Sequence, residues 1–230
     1  YKTHSKNNAI DHIFVSRKMN ILKYKVIKDA NKIVKNCPYV VNDPYKNKKR
    51  WSEVFGNNHP ICLELGMGRG DFIIDMAINY PNINFIGIEK YDSVIVRAVE
   101  KLDDILLPNL KLIRMDALNI ESVFDHEIDT IYLNFSDPWP KDRHAKRRLT
   151  SPIFLNIYDK IFTDKCHIIQ KTDNRKLFEY SIKSLTDYGY KIEDISLNLY
   201  DDDINLNIQT EYEVKMLEKN MVIYKIEVMK

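Results

Sequence analysis

The chain has 230 residues, 44% of them hydrophobic and 30% charged, with a formal net charge of +2, which suits one main domain with a sizeable core. No apolar run is long enough to span a bilayer, and none reads as a secretory leader. The three cysteines, Cys37, Cys62 and Cys166, lack C-x-x-C spacing, so they read as reduced thiols rather than a disulfide framework or a metal site.

Residues 1–18 are polar, basic and Asn-rich, as in a flexible arm or the remnant of an organelle-targeting leader, and Met19 is an alternative start. Residues 1–50 are expected to form an N-terminal basic extension, partly flexible, with a helix over 20–36. Residues 51–230 are expected to form the main domain. Between them, residues 37–59 carry Pro38, Pro44 and Lys/Asn clusters and read as an irregular connector.

From Pro60 the pattern alternates. Ile61 to Leu65 reads as a strand, Asp71 to Tyr80 as a helix, Asn84 to Glu89 as a strand and Ser93 to Leu106 as a helix. Leu110 to Met115 and Ile128 to Phe135 follow as strands, then a helix over Pro152 to Phe162 and a strand over His167 to Lys171. Asn174 to Tyr188 is a helix stopped by Gly189. Tyr190 to Tyr200 and Met221 to Val228 close the chain as two strand-like runs. Strands separated by helices imply βαβ units and a parallel sheet, and the last two strands imply an antiparallel edge.

Three of the six glycines occupy Gly66, Gly68 and Gly70, straight after the first strand. Glycine at such a turn accepts positive φ and lets a ligand touch the backbone. Glu89 ends the second strand about 20 residues later, where an acid can take both ribose hydroxyls of an adenosine. Asp116, followed by Ala117, ends the third strand within reach of an adenine amino group. The spacing is G-x-G-x-G, and Glu64 and Asp71 flank it. Two carboxylates repel a dinucleotide diphosphate but tolerate the ammonium and sulfonium of S-adenosylmethionine. The competing readings are NAD and a plain set of caps and turn acids.

Ser136-Asp-Pro-Trp-Pro140 follows the fourth strand and leads into the cations of Lys141 to Arg148. The prolines stiffen the exit from the sheet, which fixes Asp137 beside an aromatic ring and a row of donors. A local basic patch steers a polyanion better than net charge does, so RNA or DNA is the expected acceptor, with Lys141 and Arg143 as phosphate contacts. Guanine N7 is a neutral lone pair and needs no strong base to become nucleophilic. It needs alignment and a counter-charge, which Asp137 can supply. The plainer reading is a strand-ending turn before a solvated basic helix. Asp173, after the fifth strand, is a candidate for orienting the nucleotide or Lys141, or else part of a helix cap. Thr210 to Glu213 is by itself a polar turn.

Taken together, Glu64-Leu-Gly-Met-Gly-Arg-Gly70, Gly87-Ile-Glu89, Asp116-Ala117, Asn134-Phe-Ser-Asp-Pro-Trp-Pro-Lys141, Lys146-Arg-Arg-Leu149, Lys171-Thr-Asp-Asn174 and Thr210-Glu-Tyr-Glu213 resemble the bacterial-type tRNA (guanine-N7-)-methyltransferases. The similarity runs from about Trp51 to the C-terminus. It implies a Rossmann-like methyltransferase fold with a mostly parallel seven-stranded sheet, an antiparallel edge strand and helices on both faces. It also implies S-adenosylmethionine as cofactor and N7-methylation of a guanosine in the tRNA variable loop. Glu64, Gly66, Gly68, Gly70, Glu89, Asp116, Ala117 and Asp137 would form the donor site, with Asp137 at the catalytic centre. Lys141, Arg143, His144, Lys146, Arg147, Arg148, Asp173, Thr210, Glu211, Tyr212 and Glu213 would contact the substrate.

No metal and no obligate protein partner are expected, and the chain would act as a monomer or homodimer in a bacterial cytoplasm or an organelle. Asp142 stands where the family usually has a second lysine, and the N-terminal arm is longer than usual. Two other readings stay open: a non-catalytic tRNA-binding protein of the same fold, and a methyltransferase of a small molecule or protein.

Overall fold

In the computed structural model, residues 32–103, 105–201 and 207–230 are described. The helix expected over 20–36 therefore lies mostly outside them, and residues 32–36 are helical. The elements after them are α1 (Trp51–Phe55), β1 (Ile61–Leu65), α2 (Asp71–Asn79), β2 (Asn84–Glu89), α3 (Asp92–Lys101), β3 (Leu110–Arg114) and β4 (Ile128–Asn134). Next come α4 (Pro152–Ile161), β5 (Phe162–Thr172), α5 (Arg175–Asp187), β6 (Lys191–Ser196), α6 (Glu211–Leu217) and β7 (Tyr224–Met229). Short 3-10 helices occupy Pro44–Asn47, Ala117–Ser122 and Asp142–Arg147.

The strands form one seven-stranded sheet in the order β3-β2-β1-β4-β5-β7-β6. Strands β1 to β5 pair parallel, with Leu63 beside Ile86 on one side and Ile131 on the other. β7 runs antiparallel to both β5 and β6, so the expected antiparallel edge is the β7–β6 pair. The strand order reverses between β1 and β4. A crevice outside the carboxyl ends of the strands opens at that point.

β1 and β2 are buried along their whole length, as strands covered on both faces must be. Alternate residues feed opposite layers. Leu63 and Leu65 pack with Trp51, Phe124, Leu155 and Tyr158 on one face, and Cys62 packs with Phe72, Ile73, Ile95 and Val99 on the other. Val34, Tyr39 and Val40 join the second layer, and Val40 bridges to Leu112. Packing against the sheet thus begins before Trp51.

The second crossover helix ends at Lys101 instead of Leu106. Its buried stripe of Ile95, Val96, Ala98 and Val99 is complete by Leu102, and Leu106 is 88% exposed. The Tyr39 hydroxyl takes the backbone just beyond, donating to the Ile105 carbonyl and accepting from the Leu107 N–H. A helix continued through 106 would claim those groups for itself. No helix among the described residues is long and apolar enough to cross a membrane.

Candidate active site

The glycine turn is built by its backbone. The N–H groups of Gly66 and Met67 both donate to the Ile88 carbonyl, at 2.9 and 3.0 Å. This folds the chain over the end of β2. Gly70 combines a φ of +79° with a close approach: an added Cβ would sit 2.7 Å from the Ala98 Cβ. An L side chain there is strained and clashes with α3.

Glu89 clamps this turn from β2. Its carboxylate accepts the N–H groups of Gly68 (3.2 Å), Lys90 (2.8 Å) and Tyr91 (3.0 Å), and its side chain is buried. Asp116 caps the Ala117–Ser122 turn by accepting the Leu118 N–H at 3.0 Å, and pairs with Lys90 Nζ at 2.7 Å. The Lys90 contact and then the Leu118 N–H hold its carboxyl below the usual range. Ala117 packs partly buried against the core.

Glu64 lies 2% exposed in β1. Asn134 Nδ2 donates to its Oε1 at 2.9 Å, but its Oε2 has no partner among the described residues, nor do Asn134 Oδ1 and Ser136 Oγ. Buried polar atoms are rarely left so. Burial lifts the Glu64 carboxyl to about 7, against the opposing pull of Asn134 and of the Lys171 charge. A cavity of about 350 Å³ opens here, walled by Glu64, the Gly66–Arg69 turn, Asp71, Phe72, Val94, Asn134, Phe135, Thr210–Tyr212 and Lys215.

Asp137 stands exposed on the loop that leaves β4. Phe135 and Trp139, two residues to either side, adopt left-handed backbone with φ of +49° and +43°. For bulky residues that conformation is an outlier. Lys141, Arg143, Lys146 and Arg147 are exposed, and His144 is half-buried with its ring edge-on to that of Trp139, the centroids 5.9 Å apart. The Arg147 guanidinium lies over the Trp139 ring, 4.8 Å from its centroid. Arg148 departs from the expected substrate contact. It is 7% exposed, and its guanidinium donates to the carbonyls of Pro138 (3.0 Å) and Trp139 (3.1 Å).

The last motif forms the first turn of a helix, where a polar turn was expected. Thr210 caps α6: its hydroxyl accepts the Glu213 N–H and Glu213 reaches back to the Thr210 N–H, a reciprocal capping box. The T-x-x-E spacing carries that signal in the sequence. Glu213 departs from the expected substrate contact, because it is fully buried and paired with Lys171 at 2.6 Å. Glu211 instead faces the cavity and pairs with Arg69 of the glycine turn at 3.0 Å. The Tyr212 hydroxyl donates to Asp173 at 3.2 Å, and its ring packs on Phe135 at 5.1 Å. The structure thus adds Arg69, Phe135 and Lys215 to the cavity wall. Lys215 pairs with Glu211, an i, i+4 contact that is visible only once α6 is known.

Comparison with known proteins places this geometry. A family model described as a putative methyltransferase matches residues 58–226. A tRNA (guanine-N(7)-)-methyltransferase of a Geobacillus species is 49% identical over 198 residues, covering 86% of this chain and 90% of that protein. The chain belongs to this methyltransferase family. A second family member, from Streptococcus mutans and of the same name, is 49% identical over 202 residues, covering 87% of this chain and 96% of its own. Among solved structures, an antibiotic-related methyltransferase superposes with a TM-score of 0.62 at 17% identity, covering 79% of this chain and 94% of its own. The family match takes in β1 to β6 whole and the first half of β7.

Proposed function

We infer that this chain is an S-adenosylmethionine-dependent methyltransferase that forms N7-methylguanosine in the variable loop of tRNA. The observation that carries the reading is the buried Glu64 Oε2 on the cavity wall, without a partner among the described residues, with Asp137 exposed on the loop that leaves the neighbouring strand β4. A buried carboxylate oxygen without a donor fits a ligand ammonium. With Asp71 also lining the cavity, a diphosphate would meet two acids, which argues against a dinucleotide.

When bound, S-adenosylmethionine supplies an electrophilic methyl group on a sulfonium. Glu64 would hold its ammonium, Glu89 its ribose hydroxyls and Asp116 its adenine amine. Gly66, Gly68 and Gly70 keep the turn close enough for backbone contact. Asp137 would accept the guanine N1–H and exocyclic amine, which aligns N7 and balances the positive charge that the ring gains on methylation. The exposed cations Lys141, Arg143, Lys146 and Arg147 would hold phosphates. Asp173, which accepts the Tyr212 hydroxyl, and the Glu211–Tyr212 edge of α6 would add further substrate contacts.

The test is transfer of labelled methyl from S-adenosylmethionine to unmodified tRNA, followed by borohydride and aniline cleavage, which breaks the chain at N7-methylguanosine. Label that survives ribonuclease would point to a protein or small-molecule acceptor. Binding of tRNA with no transfer would point to a non-catalytic protein of the same fold.

A further inference from the structure

We propose that Arg148 is a positioning residue for the reaction, a clasp that holds the Asp137 loop in its working shape. The inference rests on the function proposed above. In sequence Arg147 and Arg148 are equivalent members of one basic run, but they do different jobs. Arg147 is exposed. Arg148 is 7% exposed, donates from Nε to the Pro138 carbonyl and from an Nη to the Trp139 carbonyl, and lies 4.3 Å over the Tyr180 ring of α5.

The two accepting carbonyls bracket Trp139, the residue forced to φ +43°. Fixing both carbonyls on one planar guanidinium fixes the rotation between them, which is set by the φ and ψ of Trp139. A strained conformation persists only where its surroundings over-determine it. Arg148 supplies that constraint at the backbone, and the Arg147 and His144 side chains add to it by packing on the ring. Asp137 makes no hydrogen bond that would aim its carboxylate by itself, among the contacts of the described residues, so its direction follows the backbone of this loop. A lysine cannot replace the clasp: it keeps the charge but offers no rigid fork to two carbonyls and stacks less well on an aromatic face.

The decisive variant is Arg148→Lys, compared with Arg147→Gln. Arg148→Lys should lower kcat on tRNA about 10- to 100-fold, with the KM for tRNA within about threefold of wild type and donor affinity unchanged. Its slope of log K against log salt should match wild type, whereas Arg147→Gln should lose about one unit. The chain has two tryptophans, Trp51 in the core and Trp139 in the loop. In Arg148→Lys, emission should shift to the red and become more quenchable by acrylamide as Trp139 loosens. This readout needs no turnover, so a wild-type chain inactive on tRNA would sink the functional reading while the emission still judged the clasp.

Should Arg148→Lys fail to fold, Tyr180→Leu and Tyr180→Phe carry the test. The first removes the shelf under the guanidinium and should lower kcat several-fold, and the second should behave as wild type. Wild-type kcat and emission in Arg148→Lys, or in Tyr180→Leu when that variant is the one tested, overturn the clasp. A reduced salt slope in Arg148→Lys would make it a phosphate contact instead.

Discussion

Lys171 Nζ lies 2.6 Å from Glu213 Oε2, and neither side chain is more than 5% exposed. The pair ties the end of β5 to the first turn of α6. It is well satisfied: Lys171 also donates to Asn207 Oδ1 and the Ile208 carbonyl, and Glu213 accepts from the Tyr200 hydroxyl and Asn207. Desolvation lowers the Lys171 pKa, against the pull of Glu213. The cavity wall formed by Thr210, Glu211 and Tyr212 stands on this contact.

Breaking the pair from one side should therefore be costly. Lys171→Met leaves the Glu213 carboxylate buried without a counter-charge, and about 3–5 kcal/mol of stability should be lost. The Lys171→Met/Glu213→Leu double variant should recover part of it, because no buried charge is left unpaired. Urea unfolding with matched m-values measures both. A single-variant loss below about 1 kcal/mol would show that the wall does not depend on the pair.

Glu64 should link stability, donor binding and pH. Its carboxyl is lifted from 4.5 to about 7 by burial. Across that window the folded chain holds a proton that the unfolded chain has lost, so stability falls as pH rises. Glu64→Gln should thus stabilise the ligand-free protein at pH 8, by up to about 3 kcal/mol. The wild-type affinity for S-adenosylhomocysteine should weaken below pH 7, by up to about tenfold per unit. In Glu64→Gln it should be weak and flat with pH. Thermal melts and calorimetry at pH 6 and 8 check both halves, and a pH-independent wild-type affinity would take Glu64 out of the donor site.

Glu89 serves two purposes, and its variants should separate them. Glu89→Ala should raise the dissociation constant for S-adenosylhomocysteine roughly ten- to hundred-fold, or about 1.5–3 kcal/mol. Glu89→Gln keeps one acceptor for the Gly68 N–H contact seen at 3.2 Å and should fall between. Unchanged affinity in the alanine variant would reduce Glu89 to a loop clamp.

Asp137 should matter for turnover more than for binding, because its charge is most valuable once the guanine ring becomes cationic. Asp137→Ala should lower kcat about 10²–10³-fold, or roughly 3–4 kcal/mol, with Asp137→Asn intermediate. Single-turnover assays beside direct tRNA binding decide it. A normal single-turnover rate would leave Asp137 a turn residue only.

The chain itself determined the order of strands and helices, the placing of the glycine turn after β1 and the exit of the Asp137 loop from β4. These are local matters, set by apolar runs, by glycine's access to positive φ and by proline's missing donor. Tertiary structure decided which of the flagged side chains remain free. Arg147 and Arg148 are neighbours, but the chain leaves its 3-10 helix at Arg148 in an extended conformation (φ −65°, ψ 137°). One side chain is exposed, its guanidinium over the Trp139 ring, and the other is buried against the carbonyls of Pro138 and Trp139. Glu213, and the helix expected to run on to Leu106 past the backbone that Tyr39 holds, differ from their sequence expectations for the same reason. Lys171 lies 42 residues from Glu213, and Tyr39 lies 66–68 residues from the backbone it holds at 105 and 107. Burial and partnership across such separations depend on how the layers close over the sheet, which no local pattern encodes.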